Sequence, residues 1–354
     1  MSRVWDVPVL ESTRIKDVQT AAETACRHAG FDAHATAVAA LVATELATNL
    51  VKHAAAGRIV IGLVGAARVG ADAAPGVQIS SLDHGPGIGD VPIALQDGYT
   101  TAVSSLGAGL GACLRLADEF SLHSRPGQGT VAVARIGPPR PPGAPRERSD
   151  APGGGARAGG INVPLAYAEH SGDAFAWTRS GPRVTLMLAD GLGHGAGAAE
   201  ASTAAVEALR RHADLPPAEI LRRLNDALRP TRGAAVSVGQ VDEDTGRLSF
   251  AGVGNVGARL RAGGRWRHLP THPGIVGAHF PASVPVHQAP WRTDSLLVVH
   301  SDGLPGRWTP PEDPEVLACE PPVLAAVVLR NAGSTASPLR DDTSVAVLAP
   351  GRGA

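Results

Sequence analysis

The sequence predicts an α/β domain over residues 1–137, an open sheet with helices packed on one face, followed by an α+β sandwich over residues 161–350. Three observations predict this division. A chain of 354 residues exceeds what one hydrophobic core serves comfortably. The stretch GPPRPPGAPRERSDAPGGGARAGG, 137–160, has almost no side chain able to enter a core, so residues 138–160 read as a linker, stiff where Pro-rich and flexible where Gly-rich. The periodicity also changes across it, from mixed helix and strand signals to strand-dominated ones.

Along the chain, 35–56 has helical spacing, 58–64 and 77–82 read as strands, a Gly-rich loop follows, 110–120 reads as a second helix and 130–136 as a closing alternating strand. Beyond the linker, strand signals fall at 183–188, 234–241, 248–252, 256–261 and 295–300, with Asp244-Thr245-Gly246 as a turn. Helical patterns fall at 196–212, 217–228 and 321–331. GVGNVG at 252–257 lies between strands with no helix after it, so it reads as a turn rather than a dinucleotide loop.

Lys plus Arg total 32 against 33 for Asp plus Glu, which leaves no broad basic footprint for nucleic acid. Cys26, Cys113 and Cys319 lie far apart without a CxxC pair and read as reduced, buried thiols. The first residues carry charges throughout and lack a signal-peptide pattern. The apolar runs at 323–329 and 296–299 fall far below the roughly 20 residues that span a bilayer. A cytoplasmic chain without a membrane or nucleic-acid partner is the expectation.

On the helix 35–56, Glu45, Asn49, Lys52 and His53 share an arc of roughly 100°. Ala39, Ala43, Leu46 and Leu50 form an apolar stripe beside it, which puts the polar arc at the rim of the core. Each of the four taken singly fits a solvated helix face, but Asn is a poor helix former, and its place here suggests a task. DHGPGIG, starting at Asp83, follows a strand, and LGAGLG, ending at Gly111, precedes a helix. Glycines let backbone approach a ligand closely, and amides at a helix N-terminus favour phosphate. A lone Gly-rich loop says little; the ordered set E-x3-N-x2-K-H, D-x-G-x-G, G-x-G-x-G and Gly129-Thr130 says more.

This set resembles the N, G1 and G2 boxes of the Bergerat-fold ATPases shared by histidine kinases, Hsp90 and the anti-sigma-factor kinases. ELATNLVKHA and DHGPGIGDVPIALQDGYTT are similar to the RsbT-like subgroup. The resemblance implies a Bergerat-type α/β sandwich that binds ATP with Mg2+. It implies that Asn49 holds the Mg2+ on the phosphates, Glu45 orients or deprotonates the accepting hydroxyl, and Asp83 binds the adenine amino group. Lys52 and His53 would lie near the phosphates, Gly107, Gly109 and Gly111 would cradle them, and 99–105 would form a lid. Gly85, Gly87 and Thr130 would line the same pocket. Ala108 departs from the Leu often found in the family.

In the second half Asp173 in SGD, Asp190 in LADGLGHG, Asp302 in HSDG, and Asp341 with Asp342 in RDDTS each mark a strand–loop junction. Any one fits turn chemistry. Converging carboxylates repel unless a cation holds them, and oxygen ligands suit Mg2+ or Mn2+. The order and spacing resemble the metal-dependent protein phosphatases in their SpoIIE/RsbX branch, over about 161–349. That resemblance implies an α-β-β-α sandwich with two Mn2+ or Mg2+ ions. Asp190 would bridge them, Asp173 and the Gly191 carbonyl would complete one site, and Asp302 and Asp341 the other, with Asp342 behind them. A water between the ions would attack the phosphoserine phosphorus in line. His194 is placed to act as the acid for the leaving alkoxide or to serve the structure.

The resemblances imply a regulator of a partner-switching pathway that phosphorylates and dephosphorylates Ser/Thr on STAS-domain antagonists, with a sigma factor or another downstream regulator as a further partner. Two other readings stand beside it: a phosphatase gated by a non-catalytic ATP sensor, and an anti-sigma binding module.

Overall fold

The computed structural model describes residues 3–54, 56–65, 75–96, 109–138, 155–165, 168, 170–333 and 341–351. The first part runs β1 (Val4–Val9), α1 (Arg14–Ala29), α2 (Ala33–Asn49), β2 (Gly57–Val64), β3 (Gly76–Asp83), α3 (Val91–Ala94), α4 (Gly109–Leu116), β4 (Glu119–Arg125) and β5 (Gly129–Ile136). Its strands form an antiparallel sheet ordered β1-β2-β3-β5-β4. Helices α1 and α2 cover one face, burying Val18, Cys26, Val42 and Leu46 against Ile59, Ile61 and Ile79. The sequence pattern does not announce α1. Its buried stripe of Val18, Ala21, Ala22, Ala25, Cys26 and Ala29 has helical spacing but is built mostly of alanine, a weak hydrophobic signal.

Helix α2 starts where the Asp32 side chain caps Ala35 N at 2.8 Å. It does not run on to residue 56: after Asn49 the backbone widens into a π-type turn, Leu50–Ala54, that carries Lys52 and His53. The segment Ala33–Ala54 is long and apolar enough, by length and composition, to cross a membrane. Here it is a core helix packed on α1 and the sheet. The expected helix 110–120 stops at Leu116, because EFSLHSR has a period of two and sends Phe120 and Leu122 to the core from β4.

The second part runs β6 (Arg157–Val163), β7 (Asp173–Ser180), β8 (Arg183–Gly191), α5 (Ala196–Arg211), α6 (Pro217–Leu228), β9 (Ala234–Asp242), β10 (Arg247–Val253), β11 (Gly257–Ala262), β12 (Arg265–His268), β13 (His287–Pro290), β14 (Leu296–His300), α7 (Pro314–Leu317), α8 (Pro321–Ala332) and β15 (Thr343–Ala349). Two antiparallel sheets, β13-β10-β9-β8-β7 and β12-β11-β14-β15-β6, face each other across Leu186, Phe250, Leu297 and Val299. α5 and α6 cover the first with Leu209, Ile220 and Leu224. α8 covers the second. An α-β-β-α sandwich results, as expected.

Residues 157–160 are strand rather than flexible linker. A Cβ on Gly159 would stand 2.6 Å from Pro322 Cδ, and one on Gly160 2.6 Å from the Val345 carbonyl, so these glycines let α8 and β15 close on β6. α8 is also the joint between the two parts. Its Val323, Leu324, Val327 and Val328 share one core with Ile161 and Val163 of β6 and with Val4, Val60, Leu82, Val131 and Val133 from the outer face of the N-terminal sheet. A helix buried all round needs apolar residues all round, and PPVLAAVVLRNA supplies them. Polar contacts rim this joint: Gln78 Nε2 donates to the Gly160 carbonyl at 2.9 Å, Arg125 pairs with Asp313 and Glu315, and Arg135 lies 5.1 Å over the Trp177 ring.

Candidate functional site

In the first part the end of α2, the loop after β3 and the start of β5 meet. Asp83, buried at the end of β3, accepts with Oδ1 from Gly85 N at 2.7 Å and Thr130 N at 3.1 Å. One carboxylate oxygen thus ties the DHGPG loop to the closing strand. A Cβ on Gly85 would stand 2.8 Å from Ala54 Cα, which brings the loop against the widened turn below Asn49. Gly87 has φ +72°, and a Cβ there would collide with the Arg125 carbonyl, so only glycine serves. Ser124 Oγ accepts from Ile88 N at 2.8 Å and bonds Thr130 Oγ1 at 2.8 Å.

Asn49 Nδ2 is buried without a hydrogen-bond partner, a costly state unless a ligand completes it. Such an orphaned N–H donor beside a glycine loop fits the phosphate oxygens of a nucleotide. Glu45 is half-buried one turn earlier, near enough that its charge helps burial push the Cys113 thiol up to about 12. Lys52 and His53 are exposed. Gly109 opens α4 and Gly111 is buried two residues on. Gly107, Ala108 and the lid 99–105 lie outside the described residues.

In the second part β7 and β8 pair so that Asp173 stands opposite Asp190. Asp173 is fully buried, and neither carboxylate oxygen has a partner. Burial first, and the Asp190 charge second, hold its carboxyl well above the usual range. Burial likewise raises Asp190 to about 7, followed by the charges of Asp302, Asp341 and Asp342. The charges of these acids act on one another, but among the described residues no group of three or more His, Cys, Asp or Glu side chains is placed to hold a metal ion by itself. The two Asp173 oxygens, buried, without hydrogen bonds and repelled by Asp190, fit a hard divalent cation.

Gly191 packs so tightly on Ala198 of α5 that a Cβ would collide with its carbonyl. Asp302 is exposed at the end of β14, its Oδ2 accepting from Asn255 Nδ2 at 2.8 Å. Asp341 is exposed and accepts from the Asp342 amide at 2.9 Å. Asp342 faces inward: its two oxygens accept from Leu165 N and Gly172 N, both at 2.7 Å, and so hold the loop that carries Asp173. His194 is exposed, and its charge is felt by Asp342.

Three contributors have no clear sequence signal. Asn255 lies in the turn GVGNVG, Ser171 bridges the Asp173 amide (3.2 Å) and Asn162 Oδ1 (2.8 Å), and Asn162 Nδ2 donates to the Asp173 carbonyl at 2.8 Å. Small polar residues of this kind are common in turns, and only the fold aims them. Of the cysteines, Cys26 and Cys113 are buried as expected; Cys319 is partly exposed, because α7 ends at the surface there.

Both parts of the chain are similar to known proteins. Residues 9–135 match the family described as "Histidine kinase-like ATPase domain", and residues 180–349 match "Stage II sporulation protein E (SpoIIE)". Over 91 residues, 26% of this chain, the sequence is 41% identical to the serine/threonine-protein kinase RsbT of Bacillus subtilis (strain 168), spanning 64% of its length. Over 135 residues, 38% of this chain, it is 29% identical to the phosphoserine phosphatase RsbX of the same organism, spanning 67% of its length. A crystal structure of RsbX in complex with magnesium superposes loosely, with TM-score 0.46 and 21% identity over 55% of this chain and 95% of that one. Residues 9–135 are therefore a histidine kinase-like ATPase domain, and residues 180–349 a SpoIIE-family domain, joined in one chain.

Proposed function

We propose that this protein regulates a partner-switching pathway with two opposed activities, an ATP-dependent Ser/Thr protein kinase in the first domain and a metal-dependent phosphoserine/phosphothreonine phosphatase in the second, both acting on STAS-domain proteins. The observation that carries the phosphatase half is Asp173, a buried carboxylate with two unpartnered oxygens facing Asp190 across a strand pair. Asp173, Asp190, the Gly191 carbonyl, Asp302 and Asp341 would hold two Mn2+ or Mg2+ ions. When bound, such ions supply Lewis acidity and a water made nucleophilic at neutral pH. Asp342 and Asn255 hold the carboxylates in place through the hydrogen bonds described above. His194, exposed beside Asp342, is available as an acid for the leaving alkoxide.

For the kinase half, phosphoryl transfer depends on positioning and on charge neutralisation more than on covalent chemistry. Asn49 would meet the Mg2+ and phosphates, Asp83 the adenine, and Glu45 the accepting hydroxyl. Lys52, His53, Gly107, Gly109 and Gly111 would surround the phosphates, with Gly85, Gly87 and Thr130 shaping the pocket. The kinship with RsbT and RsbX supports both halves and the choice of STAS-domain partners. A cytoplasmic location goes with that reading.

The test is a pair of assays on the full chain. A Mn2+-dependent phosphoserine phosphatase assay should lose its signal in Asp190→Ala; equal hydrolysis by wild type and variant would remove the metal-cage assignment. Incubation with ATP and a STAS-domain protein should transfer phosphate in wild type and not in Glu45→Ala. A second reading is favoured by one contact, that of Arg330 in α8 with Asp83: the first domain senses ATP and gates the phosphatase. It predicts no transfer to the STAS protein but a hydrolysis rate that changes with ATP.

A further inference from the structure

We infer that Arg232 is the residue that grips the phosphoryl group of the phosphorylated substrate protein, an inference that rests on the phosphatase reading above. Arg232 lies in the turn between α6 and β9. In the β8–β9 register Asp190 faces Ala235 and Gly191 faces Ala234, and the pairing continues into the turn, where Leu192 N donates to the Gly233 carbonyl at 3.0 Å. The chain therefore delivers Arg232 to the loop that follows the carboxylate pair.

The side chain lies along that loop. A Cβ on Gly193 would stand 3.4 Å from Arg232 Nη1, and one on Gly197 2.8 Å from its Nε. Bare backbone at both positions is what admits a planar guanidinium here. Gly193 and Gly195 both have positive φ, +82° and +76°, so the loop folds back under the arginine before α5 begins. Gly195 offers no side-chain cap to the first turn of α5, and the Ala198 carbonyl of that turn packs on Gly191. A guanidinium, uncapped helix amides and the Asp190–Gly191 strand end thus share one edge of the domain.

Arg232 is exposed, and no ion pair joins it to a carboxylate among the described residues. An unpaired guanidinium over the loop that follows Asp190 and Gly191 is suited to hold an anion. With divalent cations held by the aspartates, a phosphomonoester dianion would be attracted to this edge, and Arg232 would grip its oxygens. Two parallel N–H···O bonds to phosphate suit the planar fork of arginine, which a lysine ammonium cannot reproduce.

Steady-state kinetics of the full chain with Mn2+ and a phosphoserine peptide test the inference, with inorganic phosphate as a competing probe. Arg232→Ala should raise KM and the inhibition constant of phosphate together, each roughly 10- to 100-fold, with a much smaller change in kcat. Arg232→Lys should recover only part of the loss. The rise in melting temperature caused by Mn2+ should match wild type in both variants, because Arg232 binds no metal. Unchanged KM and phosphate inhibition in Arg232→Ala, or loss of the Mn2+ effect on melting, would overturn the assignment. A wild type unable to hydrolyse the peptide overturns the phosphatase reading and this inference with it; an active wild type equalled by Arg232→Ala overturns this inference alone.

Discussion

Arg330, near the end of α8 in the SpoIIE-family domain, donates from Nη1 to the main-chain carbonyl of Asp83 in the ATPase domain, 3.4 Å away and 247 positions earlier in sequence. Arg330 is 6% exposed, and burial pushes its pKa below the ordinary arginine value while Asp83 opposes that shift. After burial, the Arg330 charge is the next cause holding the pKa values of His84 and His123 down. α8 ends at Ala332, and the next strand, β15, starts at Thr343, directly after Asp341 and Asp342. One helix therefore touches the start of the DHGPG loop and precedes, in the chain, a candidate metal ligand.

If that helix carries information between the sites, Arg330→Met should leave the phosphatase rate without nucleotide near wild type and abolish any change that ATP causes. Folding stability should shift by only ~1 kcal/mol, because one long hydrogen bond barely offsets the desolvation of the guanidinium. Hydrolysis rates with and without ATP, together with a denaturant midpoint, measure both. An ATP effect of wild-type size in the variant would refute the route through α8.

Asn49 and Asp83 should separate binding from stability. Asn49→Ala removes a buried amide nitrogen that has no hydrogen-bond partner, so it should cost little stability while erasing the thermal shift produced by Mg2+-ATP. Asp83→Ala strands two amides, those of Gly85 and Thr130, and should cost about 1–3 kcal/mol in addition to the loss of ATP binding. A full ATP-induced shift in Asn49→Ala would contradict the pocket as drawn.

The metal-free protein should lose stability as pH rises. Folding lifts the Asp190 carboxyl from 3.8 to about 7, so the folded state keeps a proton that the unfolded chain has released. The resulting stability is complete below pH 3.8 and disappears as pH climbs through about 7. Mn2+ should oppose that loss, since it replaces the protons with a cation. Melting curves in EDTA and in Mn2+ across this range check the sign; a metal-free protein that gains stability toward neutral pH would show the acids to be independent of one another.

The shared core around α8 predicts that the domains depend on each other. Residues 1–137 expressed alone should expose Val4, Val60, Leu82, Val131 and Val133 and associate or bind apolar dye. In the whole chain Leu324→Ala should cost about 2–5 kcal/mol and weaken a single cooperative transition. A monomeric, dye-free fragment would mean that this face does not need α8.

Much of the fold is legible in local pattern, because strands such as β2, β5 and β9 and helices such as α5 and α6 carry their periodicity within a few residues. α1 and β6 are not legible. Alanine and glycine give little hydropathy contrast, and their fitness for those elements lies in what packs on them, as Pro322 packs on Gly159. The motif residues of both sites also stand out, because glycines that admit close backbone and aspartates at strand ends are local features.

The residue types and the order that make a glycine-rich loop and a set of aspartates at strand ends are written in the chain, since they depend on short-range backbone and side-chain chemistry. That Asp173 meets Asp190, that Arg232 lies over Gly193 and Gly197, and that α8 is buried between two sheets emerge only on folding. Those facts depend on register and on packing between segments far apart in the chain, where no local pattern records the partner.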